Sequence, residues 1–177
     1  MQVYHYNDNF LLENGGSLPA ITIAYTTLGK LNEDASNVVW ICHALTANAE
    51  VEKWWPGIVG EGCILDPSKY FIVCANILGS CYGSSGPLSV NPVQGKPYFS
   101  DFPMITIRDM VKAHILLREY LQIKKIELLA GGSMGGYQAL EWSVMEPERI
   151  NKLFLLATSA TESAWGIAIH TAQRLAI

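Results

Sequence analysis

The sequence has no long apolar run. Its apolar stretches, such as residues 153–157, are far shorter than the roughly 20 residues that a helix needs to cross a bilayer. The opening residues, MQVYHYNDNFLLENGG, are polar and carry acidic side chains early, so they lack the basic start and apolar centre of a signal peptide. We therefore predict a cytoplasmic protein with no membrane partner.

The sequence also has no long block of like charges and no cluster of cysteines. The 12 Lys and Arg residues stand against 16 Asp and Glu residues, the formal net charge is -4, and neither sign forms a long block. This balance predicts no nucleic-acid partner. The four cysteines form no C-x-x-C pair and no group with histidine at zinc-binding spacing. We predict no metal site and interpret the cysteines as free thiols in a reducing compartment.

The chain contains an alternation of strand and helix patterns. Its 177 residues, 50% apolar and 16% charged, predict one folded domain. Residues 21–28 (ITIAYTTL) are rich in β-branched side chains and predict an antiparallel strand near the sheet edge. Short apolar runs predict strands covered on both faces, as in a parallel sheet. These runs are residues 38–42, 70–77, 126–130 and 153–157.

Two helices are predicted between these strands. Residues 106–121 carry an apolar stripe at three- and four-residue spacing, and Thr106 with Asp109 resembles a capping box at its start. A second helix over residues 136–145 should stop ahead of Pro147. Strands and helices that alternate in this way predict a doubly wound α/β fold.

The sequence Gly-Gly-Ser-Met-Gly-Gly at residues 131–136 carries the candidate chemistry. It is a G-x-S-x-G pattern directly between a predicted strand and a predicted helix, the setting of the nucleophile in the α/β-hydrolase fold. A sharp turn there would hold the hydroxyl of Ser133 clear of the sheet, and the helix start would stabilise negative charge beside it. We predict Ser133 as nucleophile and the amide of Met134 as one donor to an oxyanion. The alternative is a glycine-rich turn that only packs a helix on a strand.

A second oxyanion donor should follow an earlier strand. His43-Ala44-Leu45-Thr46 comes after the run at residues 38–42, and we predict the backbone amide of Leu45 as that donor. His43 could be a general base, but a histidine at a strand end more often shapes its own loop, and we favour that interpretation. Gly79-Ser80-Cys81-Tyr82-Gly83 imitates an elbow with a cysteine nucleophile. The segment Ser-Ser-Gly-Pro after it cannot begin a helix at once, so we interpret it as a loop beside the pocket.

The partners that would activate Ser133 are hard to find. This fold places an acidic residue and then a histidine after the serine. Downstream of Ser133 there is no aspartate, the glutamates lie at unsuitable places, and the only histidine, His170, lies in a final helical pattern. We therefore predict that the triad is incomplete in these 177 residues and that the sequence is cut off inside a helix.

Five segments in the same order carry a resemblance to a known family. They are AYTTLGKLN at 24–32, CHALT at 42–46, NILGSCYGSSGP at 76–87, FPMITIRDMV at 102–111 and GGSMGGYQALEW at 131–142. With them, the chain resembles the homoserine O-acetyltransferases, acyltransferases of the α/β-hydrolase fold that serve methionine biosynthesis. The resemblance covers essentially the whole chain. Ser80 and Ser85, where the family usually has Gly and Thr, are modest departures.

The resemblance implies a function and a division of the chain. Ser133 would take an acetyl group from acetyl-CoA and pass it to the hydroxyl of L-homoserine, with the amides of Leu45 and Met134 as oxyanion donors and Thr46 at the substrate. No cofactor would be bound, and the full-length family suggests a homodimer. Residues 1–162 would form the front part of the hydrolase core and residues 163–177 the start of a helical lid. The family's triad Asp and His would lie beyond residue 177.

Several alternatives remain open. The acyl donor could be succinyl-CoA, the acceptor could be serine, and a serine esterase or lipase would share the same elbow. A third interpretation is an inactive fragment that lacks the triad Asp and His. We expect the 177-residue chain alone to be essentially inactive and prone to aggregate, because unpaired edges of a buried parallel sheet are sticky.

Overall fold

The computed structural model describes residues 1–176. Strands and helices alternate along most of this length. In chain order the elements are β1 (Gln2–Tyr6), β2 (Phe10–Leu11), β3 (Ser17–Leu18), β4 (Ile21–Leu28), β5 (Val38–Cys42), α1 (Val51–Trp54), β6 (Phe71–Ala75), β7 (Val90–Asn91), β8 (Lys96–Pro97), α2 (Ile107–Tyr120), β9 (Leu128–Gly132), α3 (Met134–Met145), β10 (Leu153–Leu156) and α4 (Ala164–Leu175).

A six-stranded, mostly parallel sheet organises the fold. The strand order is β1-β4-β6-β5-β9-β10, and β6, β5, β9 and β10 run parallel to one another. Strand β4 is antiparallel to both of its neighbours, β1 and β6. The carboxyl ends of the four parallel strands therefore meet at one edge of the sheet, where open α/β sheets bind their ligands. This architecture confirms the predicted fold class.

Both faces of the sheet centre are covered, as the apolar runs predicted. On one face, α2 and α3 pack on alternate residues of β5, and the Trp40 ring meets Trp142 of α3 edge to face at 5.0 Å between centroids. On the other face, Val39 and Ile41 pack against Val51 and the segment after it. The five residues of β5 are all buried, because it lies in the middle of the sheet with layers on both sides.

Strand β4 is antiparallel and near the sheet edge, as predicted, and β1 pairs with it to form the edge itself. Other details differ from the sequence prediction. Strand β1 was not predicted, because its five residues contain no continuous apolar run. The strand that leads to Ser133 begins at Leu128 rather than residue 126 and continues into Gly132. The helix after it begins at Met134, two residues earlier than predicted.

The predicted burial of β10 is wrong for the described residues. Its side chains are largely exposed, with Phe154 at 47% and Leu156 at 50%, because only β9 pairs with this strand and α3 covers it in part. Helix α4 also presents apolar side chains to solvent, Trp165 among them. Among residues 1–176, no helix is both long and apolar enough to cross a membrane.

The start of α2 has the predicted capping box. Thr106 Oγ1 accepts the amide of Asp109 at 3.2 Å, and the Asp109 carboxylate accepts the amide of Thr106 at 3.1 Å. The other carboxylate oxygen of Asp109 accepts the amide of Glu13 at 2.8 Å, so the buried aspartate also fixes the turn between β2 and β3. Helix α2 is thereby fixed at its start against the amino-terminal part of the chain.

The Thr106→Ala variant is expected to be less stable than the parent by about 1 kcal/mol, because it leaves the amide of Asp109 without its acceptor. Urea denaturation followed by fluorescence would measure this difference. A Thr161→Ala variant, at an exposed position ahead of α4, is the matched control and should change the free energy of unfolding by less than about 0.5 kcal/mol. Equal midpoints for Thr106→Ala and the parent would contradict the capping role.

Candidate active site

Ser133 lies on a sharp bend between β9 and α3. Its backbone has φ 53° and ψ -122°, a left-handed conformation that residues other than glycine rarely adopt. The amide of Ser133 donates to the carbonyl of Leu156 in β10 at 3.0 Å, and its own carbonyl accepts the amide of Gly136 at 2.9 Å. The bend is thus fixed on both sides, and Ser133 remains exposed at its tip.

The glycines around Ser133 are required by close approach of the backbone. A Cβ on Gly131 would overlap the carbonyl of Gly135 across the bend. A Cβ on Gly135 would overlap the carbonyl oxygen of Cys42, at the end of the neighbouring β5. A Cβ on Gly136 would meet the side chain of Thr158. These contacts let α3 begin directly against the sheet, and they explain why the elbow needs small residues at these positions.

A pocket of about 290 Å³ opens beside Ser133. Its lining includes Gly132, Ser133, Trp54, Trp55, Leu156 and Ala157. The two indole rings stack on each other with centroids 5.5 Å apart, and no charged side chain is among the described residues that line the pocket. Cys42 also contributes to the lining, but burial raises the pKa of its thiol to about 12, so the thiol stays protonated near neutral pH. The pocket suits a small uncharged group held at Ser133.

The two predicted oxyanion donors are backbone amides, one in the turn after β5 and one at the start of α3. Among the described residues, neither the amide of Leu45 nor that of Met134 donates a hydrogen bond. Met134 is the first residue of α3, and Leu45 follows β5 in a turn closed by the amide of Ala47, which donates to the carbonyl of Ala44 at 3.0 Å. Thr46 lies exposed in the same turn. The roles of Ser133, Leu45, Met134 and Thr46 stay predictions, and this arrangement supports the first three.

His43 has a local role in this structure. Its side chain is buried, and Nδ1 lies 2.8 Å from the carbonyl oxygen of Ala44, so the neutral ring donates to its own loop. Burial lowers the pKa of His43, which keeps the ring neutral. This contact agrees with our interpretation that His43 shapes the loop that carries Leu45. His114 of α2 is also buried, and the centroid of its ring lies 5.8 Å from that of the Trp40 ring.

His114 makes the stability of the protein depend on pH. Burial lowers its pKa from 6.5 to about 3, with His43 adding to the effect. Because the unfolded chain takes up this proton at higher pH than the folded chain, the free energy of unfolding falls as pH drops below about 6.5, by up to about 1.4 kcal/mol per pH unit. We expect His114→Phe to flatten this dependence and to cost little near pH 7, because no described residue pairs with either ring nitrogen. Urea unfolding at several pH values would show it, and parallel curves for variant and parent would contradict it.

The segment that imitates an elbow has no helix after it. Residues 79–83 form an irregular loop after β6 and contribute to a pocket of about 360 Å³ of their own, rather than to the pocket at Ser133. The loop continues into Ser84 and Ser85, whose hydroxyls accept the amides of Ala24 and Thr22 in β4. We predicted a loop beside the nucleophile's pocket. The loop is confirmed, but its position at that pocket is not.

The described residues do not complete a triad. His170 lies on α4 with its side chain half exposed, and its Nδ1 is 3.3 Å from the carboxylate of Glu162. The hydroxyl of Tyr137 lies 3.4 Å from the same carboxylate. Within residues 1–176, no histidine or carboxylate makes a hydrogen bond with the hydroxyl of Ser133. The described residues therefore do not provide a base in contact with Ser133.

The sequence did not reveal that Trp54 and Trp55 line the pocket or that the side-chain amide of Asn76 is buried near it. Trp54 and Trp55 follow α1 and reach the pocket through a fold of the chain that no local pattern revealed. Asn76 follows β6 at the same sheet edge as Ser133, with its side chain buried. The available signal was that a polar residue directly after a buried strand in a parallel sheet lies at the ligand-binding edge.

The sheet and the elbow are those of the α/β-hydrolase fold. Residues 37–174 match the family described as the alpha/beta hydrolase fold, and the chain belongs to this family. In sequence it is similar to the homoserine O-acetyltransferase of Chlorobaculum parvum, with 54% identity over 170 residues. That similarity covers 96% of this chain and 48% of the relative. The chain thus spans about half the length of the curated relatives it matches.

Solved structures with this fold include both transferases and esterases. The homoserine O-acetyltransferase from Bacillus anthracis superposes with a TM-score of 0.87 and 27% identity, covering 97% of this chain and 50% of that one. Esterase E22 superposes with a TM-score of 0.88, also at 27% identity, covering 99% of this chain and 52% of the esterase. Structural similarity alone therefore does not separate the two activities, whereas the sequence relatives carry the transferase name.

Proposed function

We propose that the protein is a homoserine O-acetyltransferase that works through an acyl-serine intermediate. The observation that carries the proposal is the exposed, left-handed bend at Ser133, at the start of α3. Among the described residues the amides of Leu45 and Met134 donate no hydrogen bond, which suits the role we propose for them. The sequence identity of 54% and 51% to two proteins named homoserine O-acetyltransferase supports the choice of reaction. Acetyl-CoA would be the co-substrate and L-homoserine the acceptor, with no bound cofactor.

In the proposed first step, the Ser133 oxygen attacks the thioester carbonyl of acetyl-CoA. The serine proton passes to a base, an oxyanion forms against the amides of Leu45 and Met134, and the carbon–sulfur bond then breaks. CoA leaves as the thiol after it takes up a proton, and the acetyl group stays on Ser133. The uncharged pocket beside Trp54 suits this small acyl group better than a charged one.

In the second step, the hydroxyl of homoserine attacks the acetyl-serine carbonyl. The hydroxyl proton passes to the base, the same two amides receive the oxyanion, and the bond to the Ser133 oxygen breaks as O-acetylhomoserine leaves and the base returns the proton to the serine oxygen. Thr46, which lies exposed in the Leu45 turn, would border the acceptor. We also propose a cytoplasmic homodimer in which residues 1–162 belong to the hydrolase core and residues 163–177 to a helical lid.

The reaction can be tested with the full natural-length protein that contains this sequence. CoA release from acetyl-CoA, followed with a thiol reagent, should rise strongly when homoserine is added, and double-reciprocal plots should be parallel, as a ping-pong mechanism requires. Serine and succinyl-CoA in parallel reactions test the open choices of acceptor and donor. CoA release that homoserine does not change would contradict the proposal.

The second candidate is an ester hydrolase, because esterase E22 superposes as well as the transferase does. Water rather than an alcohol would then reach the acyl-serine. A chromogenic acetyl ester discriminates the two: a transferase should form O-acetylhomoserine when homoserine is present, and a hydrolase should release acetate at the same rate with and without it. The products can be quantified by mass spectrometry.

A further inference from the structure

Asn76 occupies a buried position between two loops at the active-site edge of the sheet. It directly follows β6 and is 1% exposed. Its side-chain oxygen accepts the amide of Ala49 at 2.8 Å, and its side-chain nitrogen donates to the carbonyl of Tyr82 at 2.7 Å. Both ends of one amide group are therefore used, and each end holds a different loop.

The first of these loops carries the proposed oxyanion donor. It runs over residues 43–50, begins at the end of β5 and includes Leu45. Ala49, near its far end, is fully buried, and its amide depends on Asn76 for a partner. The preceding carbonyl, that of Asn48, accepts the indole N–H of Trp54 at 2.8 Å. The hydrogen bond from Ala49 to Asn76 thus fixes both the Leu45 loop and a wall of the pocket at Ser133.

The second loop provides the rigid side of this connection. It runs over residues 79–86 and is joined to β4, because the amide of Ser85 donates to the carbonyl of Thr22 at 2.9 Å. The hydroxyl of Ser84 donates to the backbone carbonyl of Asn76 at 2.7 Å and accepts the amide of Ala24 at 3.0 Å. The Asn76 side chain is therefore held from behind by a loop that the sheet itself anchors.

We propose that Asn76 is a positioning residue that sets the oxyanion hole of Ser133. It ties the loop of Leu45 to the anchored loop of residues 79–86, and so fixes the distance between the Leu45 amide and the serine. This inference rests on the proposed acyl-serine function. It requires no contact between Asn76 and substrate. A displacement of the Leu45 amide by about 1 Å would be enough to lower the rate about 100-fold.

Hydrogen exchange of the full natural-length protein tests the connection without any substrate. In Asn76→Ala, the amide of Ala49 loses its acceptor, and exchange in residues 43–50 should become about tenfold faster or more. Asn37→Ala is the matched control, because it removes an amide side chain that likewise connects two loops, through the carbonyls of Lys30 and Lys69, but at the opposite end of the sheet, directly before β5. It should leave the exchange of residues 43–50 unchanged. Unchanged exchange in Asn76→Ala would overturn the proposal.

The rate of acyl-enzyme formation tests the consequence for catalysis. With a chromogenic acetyl ester, the burst rate should fall about 10- to 100-fold in Asn76→Ala, approaching the effect of losing one oxyanion donor, while KM changes little. Asn37→Ala should keep the parent burst rate. Asn76→Asp, which retains an acceptor for Ala49, should recover part of the rate and serves as the decisive variant where Asn76→Ala does not fold.

The outcomes separate this inference from the function on which it rests. An equal loss of burst rate in Asn76→Ala and Asn37→Ala, in step with their melting temperatures, would show a general effect on stability and overturn the positioning role. A parent protein that forms the acyl-enzyme, with an Asn76→Ala variant that forms it equally fast, would overturn the positioning role alone. A parent protein that forms no acyl-enzyme would overturn the proposed function, and the positioning role with it.

Discussion

Replacing Ser133 by alanine is expected to lower the rate of acetyl transfer about 10⁴-fold or more, because it removes the hydroxyl that is proposed to carry the acetyl group. The free amides of Leu45 and Met134 would remain, so substrate binding and the fold should persist. Transfer by the full natural-length variant would be followed by CoA release and its stability by thermal unfolding. A loss of activity with an unchanged melting temperature is the predicted result.

The matched control for this variant is Cys81→Ala. Cys81 lies in the segment Gly79-Ser80-Cys81-Tyr82-Gly83, which repeats the elbow pattern with a thiol and lies on an exposed loop. Its removal should change the rate by no more than about twofold, as expected of a surface substitution. A large loss in Cys81→Ala together with retained activity in Ser133→Ala would move the nucleophile to the other loop.

Replacing Gly135 by alanine is expected to destabilise the protein by about 3 kcal/mol or more, at the upper end of the cost of overpacking. The added Cβ would overlap the carbonyl oxygen of Cys42, and neither backbone can move without separating α3 from β5. The start of α3 also sets the amide of Met134, so activity should fall in the remaining folded protein. Urea denaturation and CoA release would measure the two effects.

Gly132→Ala is the control for that variant, since it adds the same methyl group three residues away. Its Cβ would lie 3.6 Å from the carbonyl oxygen of Leu156, an ordinary contact. We expect a cost of less than about 1 kcal/mol. If the two glycine variants were equally stable, the close contact between α3 and β5 would not be a constraint on the elbow.

The parts of the fold that follow from local patterns were predictable. The apolar run at residues 38–42 became β5 unchanged, because a strand in the middle of a sheet needs apolar residues on both faces. The capping box at Thr106 placed the start of α2 to the residue, since its hydrogen bonds connect only neighbours in sequence. The glycine pattern around Ser133 placed the bend between β9 and α3 for the same reason.

The parts that depend on distant partners were not predictable. Strand β1 is short and largely exposed, and its place in the sheet comes from pairing with the distant β4. Strand β10 has the apolar composition of a buried strand, yet its exposure depends on what packs against it. In the site, Trp54 reaches the pocket through the fold, and nothing in its neighbouring residues signals that contact. Asn76 had one local signal, its place directly after a buried strand, but its partner Ala49 is distant in sequence.

The site's chemistry is more general than the reaction it is proposed to perform. A serine on a strained bend with two free amides serves transferases and hydrolases equally, and the solved structures with this fold include both. The resemblance in five ordered segments, and the 54% identity to a homoserine O-acetyltransferase, favour the transferase. The choice between an alcohol and water as acceptor therefore rests on sequence similarity rather than on the geometry of the elbow.

The most direct test of the central claim is to trap the intermediate. The full natural-length protein would be mixed with acetyl-CoA without acceptor, quenched in acid and digested, and its peptides analysed by mass spectrometry. We predict one acetyl group on Ser133, which disappears when homoserine is added before the quench. Acetylation of a different residue, or turnover of acetyl-CoA and homoserine with Ser133 unmodified throughout, would contradict the account.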